Sequence, residues 1–135
     1  MKQNNNIISV WKITLTLQGM RGSYVYKYEN QRELQRYREI CRDREGKLML
    51  EVSAPCGVET MIELMNTCNI LRWDGFHGKH PKNVKDGIMF RLEATVNGGQ
   101  TIYAEGSANF PKGYHEFVRA LDAMLAAREN AGITE

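Results

Sequence analysis

The densest chemistry in this sequence lies in one stretch, Arg72-Trp73-Asp74-Gly75-Phe76-His77-Gly78-Lys79-His80, with Asp86 following shortly after. Two large aromatic rings, carboxylates and two imidazoles are the ingredients of a ligand clasp that works by stacking and charged hydrogen bonds. Trp73, Asp74, Phe76, His77, His80 and Asp86 are therefore the expected ligand-binding residues. A plainer use of part of this set weighs more: Trp73 and Phe76 suit the plugging of one end of a core, and Asp74 before Gly75 suits a turn.

Other chemistries are short of parts. A zinc site would have to join His77 and His80 to Cys56 or Cys68, but those cysteines are not spaced as the close ligand pairs of structural zinc sites. Cys68 also falls on the apolar stripe of an expected helix, so no metal is expected. Cys56, at the start of that helix, is the one cysteine whose thiolate a helix dipole could favour. No local base or oxyanion donor accompanies it, and a core thiol is the expectation. Asp74 and Asp86 could form an acid-base pair with His77 beside them, yet both precede glycine, where a turn role suffices. No catalytic residue is assigned, and nothing implies a cofactor.

Arg32, Arg36, Arg38, Arg42 and Arg44, near Tyr24, Tyr26, Tyr28 and Tyr37, have the composition of a surface on which bases could stack. Glu33, Glu39, Asp43 and Glu45 interrupt them, so a solvated, internally paired face is expected instead. The whole chain agrees: 18 lysines and arginines against 16 acidic residues leave a formal charge of +2, which sets no nucleic-acid or membrane partner. Three cysteines at irregular spacing make no disulfide framework and fit a reducing compartment. The first apolar stretch alternates and contains Lys12, unlike an export signal, and no stretch reaches the ~20 apolar residues of a membrane span. A soluble cytoplasmic protein is expected.

The elements that must position these residues follow from periodicity. Ile7 to Leu17 alternates, with Trp11, Ile13, Leu15 and Leu17 on one face. After Gly19 and Gly22, Ser23 to Tyr28 completes a hairpin with Tyr24, Tyr26 and Tyr28 on one side, where they could pack under a helix. Residues 30–45 read either as a helix capped by Asn30, with Leu34, Tyr37 and Cys41 as a thin stripe, or as an irregular polar connection. Lys47 to Ser53 alternates again, with Leu48, Leu50 and Val52 on one side. Gly57 to Leu71 carries Val58, Met61, Leu64, Met65, Cys68 and Leu71 at helical spacing.

Arg72 to Lys85 is then the longest loop, where function tends to sit. Ile88, Phe90, Leu92, Ala94 and Val96 form the clearest strand, and Asn97-Gly98-Gly99 turns the chain into Thr101 to Glu105. After Phe110-Pro111, a helix bears Tyr114, Phe117, Leu121, Met124 and Leu125 and fades between Ala127 and Ala131. The expected fold class is α+β: an antiparallel sheet of about five strands with two or three helices packed on one face. Residues 1–6 are expected to be disordered, 7–128 to form a single domain, and 129–135 a tail.

The second half carries a resemblance. Trp73-Asp74-Gly75-Phe76, Asp86-Gly87 before Phe90, Asn97-Gly98-Gly99, Ile102, Ala104-Glu105-Gly106-Ser107 and Phe110-Pro111 with Tyr114 and Phe117 resemble a pattern of small, uncharacterised bacterial proteins. The resemblance covers about residues 70 to 125 and implies one domain of bacterial type, with no activity to carry over. The functional expectation therefore rests on the residues: a non-enzymatic module binding a small ligand or a protein at the Trp73 to His80 loop. A small hydrolase or transferase using Cys56, or Asp74 and Asp86 with His77, is the alternative. Homodimerisation through an exposed strand is the second alternative.

Overall fold

The computed structural model describes residues 6–19, 22–29, 32–40, 47–83 and 87–133. Seven strands make one sheet among the described residues: β1 (Val10–Gly19), β2 (Gly22–Glu29), β3 (Glu33–Ile40), β4 (Lys47–Pro55), β5 (His77–Gly78), β6 (Met89–Val96) and β7 (Gln100–Ser107). Their spatial order is β4-β3-β2-β1-β6-β7-β5, and all neighbours are antiparallel except β5 and β7, which run parallel. Helices α1 (Val58–Thr67) and α2 (Tyr114–Ile133) complete the α+β fold. The sheet is thus larger than the five strands expected and mixed rather than wholly antiparallel.

One core fills the space between sheet and helices. Ile13, Leu15, Tyr26, Tyr28, Leu34, Leu92, Ala94, Ile102 and Ala104 supply its floor, and Met61, Met65, Phe117, Leu121 and Leu125 descend from the helices. The tyrosine stripe does pack under a helix: the Tyr26 hydroxyl donates to Asp122 of α2 at 2.6 Å, while that of Tyr28 donates to the Cys56 carbonyl at 2.9 Å. Phe90 reaches α2 through Tyr114, at 5.0 Å between ring centroids. Trp73 stands between Phe90 and Phe117, edge-on to both. The β6–β7 hairpin turns at Asn97-Gly98-Gly99, all three with positive φ, a conformation that glycine adopts freely and asparagine tolerates.

Several expectations fail for identifiable reasons. Residues 33–40 are a strand, neither helix nor irregular connection. Leu34 is buried opposite Tyr28 and Ala54, but the next inward position is Arg36, so the alternation is hidden by a charge. That charge is tolerated because Arg36 donates to Glu51 and to Asp122, each at 3.0 Å. Asn30 and Cys41, the expected cap and the last stripe residue of that helix, lie outside the described residues, as do Arg42 and Arg44.

Trp11 is 66% exposed. It is the extra residue of a bulge between Val10 and Lys12, and Val10 takes its inward place. A second bulge, at Glu51, turns Leu48 and Leu50 out of the face that Val52 shares with the core. Helix α1 stops at Thr67. Asn69 then takes a left-handed conformation, and Leu71 falls in a short 3-10 turn, Ile70–Trp73. Helix α2 runs on to Ile133 instead of fading near Ala127, in keeping with the good helix formers Ala126, Ala127, Arg128 and Glu129. Among the described residues no helix is long and apolar enough to cross a membrane.

Candidate functional site

The Trp73 to His80 loop is held by its first residue. Trp73 is buried, and its indole N–H donates to the Lys112 carbonyl at 3.0 Å, so the side chain is a core plug and presents nothing to solvent. Phe76 packs against the same cluster, 6.1 Å from the Phe90 ring. Asp74 is exposed, but one carboxylate oxygen accepts the Tyr103 backbone N–H at 2.9 Å while the Gly75 N–H donates to the Tyr103 carbonyl at 2.8 Å. Trp73 is thus a core residue and Phe76 packs against the core, while Asp74 stands in the Asp-Gly turn with its carboxylate directed to Tyr103 of β7 and not to the turn itself.

From Phe76 onward the loop becomes β5. The Glu105 N–H donates to the Phe76 carbonyl at 3.0 Å, and His77 and Gly78 lie beside Glu105 and Gly106. Glycine is required on both sides of this contact. A Cβ on Gly78 would sit 2.7 Å from the Asn109 carbonyl oxygen, and one on Gly106 would collide with that same oxygen. The Asn109 amide in turn donates to the Lys79 carbonyl at 3.3 Å. Main-chain pairing and close glycine packing therefore fix where His77, Lys79 and His80 stand.

His77 and Lys79 line a groove of about 370 Å³ on the sheet face away from the helices, and His80 stands behind its Ser107 wall. The register aligns Thr16, Arg91, Glu105 and His77 in one row across β1, β6, β7 and β5. Glu105 accepts from the Tyr103 hydroxyl at 2.8 Å and lies 3.3 Å from His77 Nδ1. These two hydrogen bonds, Tyr103 first, hold its carboxyl below the usual range; the same bond raises the Tyr103 hydroxyl. His80 Nδ1 lies 2.8 Å from the Ser107 hydroxyl, while Lys79 and Arg91 add two fixed cations to the walls. The arrangement is a concave surface, apolar over much of its lining, in which the two cations outnumber the one carboxylate.

Of the six residues singled out by sequence, His77 reaches this groove directly and His80 reaches its Ser107 wall. Trp73, Phe76 and Asp74 build the support beneath it. Asp86 lies outside the described residues. Arg91, Glu105, Tyr103 and Ser107 were missed, although the tight hairpin turn carries enough information: pairing Val96 with Gln100 sets Arg91 opposite Glu105.

The components of the enzymatic alternative that lie among the described residues do not converge. Cys56 is buried at the end of β4, 3.8 Å from the Met124 sulfur, and burial pushes its thiol up, away from an activated thiolate. Asp74 is turned onto Tyr103 and His77 onto Glu105. Cys56 and Cys68 both belong to the core cluster, and among the described residues no three histidines, cysteines or carboxylates gather as metal ligands. A second cleft, of about 560 Å³, lies beside α2, but its polar floor, Tyr26, Asp122, Arg36 and Glu51, is occupied with its own hydrogen bonds. Neither a known family model nor a curated protein matches the sequence.

Proposed function

We propose that the protein is a non-enzymatic binding module that takes a small anionic ligand in the groove formed by the His77 to His80 loop and strands β1, β6 and β7. One observation carries the reading: parallel pairing of the loop with β7 sets His77 and Lys79 beside Arg91 of β6 around one concavity. Small-ligand sites are typically concave and carry a few fixed polar groups. An Arg fork with a nearby Lys recognises carboxylate or phosphate oxygens. Glu105 orients His77 and restricts the groove to ligands small enough to bypass its charge.

Calorimetric titration with inorganic phosphate, citrate and succinate tests this. At least one should bind the native protein and be lost in Arg91→Ala, whose side chain is exposed, so that the fold should tolerate its loss. Absence of binding by all three, or binding unchanged in Arg91→Ala, defeats the reading. A reducing, cytoplasmic setting suits the free thiols of Cys56 and Cys68.

A second reading, homodimerisation, is favoured by a separate observation. Among the described residues strand β4 is an open edge of nine residues bearing three exposed apolar side chains.

A further inference from the structure

We propose that β4 pairs antiparallel with β4 of a second copy about a two-fold axis at Met49, a register that rests on the dimeric reading just given. The two sheet edges are treated differently by the fold. The β7 side is closed by the two-residue β5 and its loop, whereas β4 has β3 on one side and no strand on the other among the described residues. Exposed edges are ordinarily blunted by charge or proline. Here Lys47 and Pro55 mark the ends, and Leu48, Met49 and Leu50 between them are 45%, 50% and 51% exposed.

The sequence of this edge is self-complementary in one register. Because Met49 pairs with Arg38 and Leu50 with Tyr37, alternation puts Lys47, Met49 and Glu51 towards the helix side, and Leu48 and Leu50 towards the opposite face. A two-fold axis at Met49 sets Lys47 opposite Glu51, Leu48 opposite Leu50, and Met49 opposite itself. Opposite charges then face each other on one side of the sheet. On the other side, the leucines of both copies cluster beside the two Tyr37 rings. Cross-strand pairs of these kinds each favour pairing, and a two-fold interface makes every pair twice. An axis at Leu50 instead sets Met49 against Glu51 and Lys47 against Ser53, leaving both charges unmatched. Glu51 already accepts from Arg36 through one oxygen, and Lys47 of the second copy would engage the other.

The test separates register from assembly. Sedimentation velocity of the native chain over a concentration series should show a reversible dimer, weakened about tenfold in Lys47→Glu, which sets two carboxylates against each other. Directly opposed residues lie within disulfide reach in an antiparallel pair. In a Cys41→Ser background, Met49→Cys should therefore oxidise to a covalent dimer, while Leu48→Cys, whose opposite residue is Leu50, should not. A native dimer that cross-links through Leu48→Cys and not through Met49→Cys overturns the register and leaves the dimeric reading standing. A native chain that stays monomeric at high micromolar concentration overturns both and leaves the edge to another protein's strand.

Discussion

Replacing Phe117 with alanine tests whether α2 is docked on the sheet through its aromatic stripe. The Phe117 side chain has no exposed surface, and its ring meets Trp73 edge-on at 5.8 Å and 85° between planes. Loss of such a ring removes its transfer free energy and leaves a cavity, together about 3–5 kcal/mol, and the edge-to-face contact places this site near the middle, at about 4 kcal/mol. That is a large share of the ~5–15 kcal/mol available to a domain of this size, and it corresponds to a melting point lower by roughly 14 °C. Arg119, exposed on the same helix, should cost within ~0.5 kcal/mol as Arg119→Ala. Urea denaturation followed by far-UV circular dichroism measures both. Equal, mild losses for the two variants would refute the docking of α2 described here.

Burial pushes the Tyr28 and Tyr114 hydroxyls up to about 12, and raises that of Tyr26 with help from Asp122. Since folding raises these values above the ordinary ~10, their contribution to stability is complete below that pH and is lost as pH climbs through 10 towards 12. Absorbance at 295 nm at about pH 11 should thus rise less in the native protein than in guanidinium, and equal changes would contradict the burial of these rings. Cys56 and Cys68, both buried and both raised by that burial, should resist thiol labelling at neutral pH until the protein unfolds; prompt labelling of Cys56 would revive the enzymatic alternative. Gly106→Ala, forced against the Asn109 carbonyl, should cost about 1–3 kcal/mol and abolish anion binding in the groove. Gly57→Ala, where an added methyl meets nothing within 4 Å, is the control and should be nearly neutral in the same melts.

Strong periodicity was legible wherever the inward positions are apolar: β6, the β1–β2 hairpin, α1 and the first turns of α2 all lie where alternation or helical spacing puts them. It failed at β3, because Arg36 occupies an inward position that ion pairing with Glu51 and Asp122 makes tolerable. It failed face by face at Trp11, Leu48 and Leu50, because one extra residue in a bulge reverses which side of the sheet a side chain takes. Strand β5 left no periodic trace: two residues held by main-chain bonds and opposed glycines have no pattern to show.

The site was half legible for a related reason. Its loop announces itself by composition, yet the most conspicuous member, Trp73, is structural. The groove's floor consists of ordinary outward positions, such as Arg91 and Glu105, that only strand register brings together. The aromatic and glycine residues of the second half divide in the same way. Trp73, Phe90, Tyr114 and Phe117 share one aromatic cluster, and Gly98, Gly99 and Gly106 serve a turn and a close packing. They describe a fold more than a chemistry.

The groove itself is tested most directly by following the amide resonances of the ¹⁵N-labelled protein while inorganic phosphate is added. The account predicts saturable shifts at Arg91, Gly106, Ser107, His77 and Gly78, with Tyr26 and Asp122, on the far face of the sheet, unmoved. Shifts centred on the α2 cleft, or none that saturate at the groove, would contradict it.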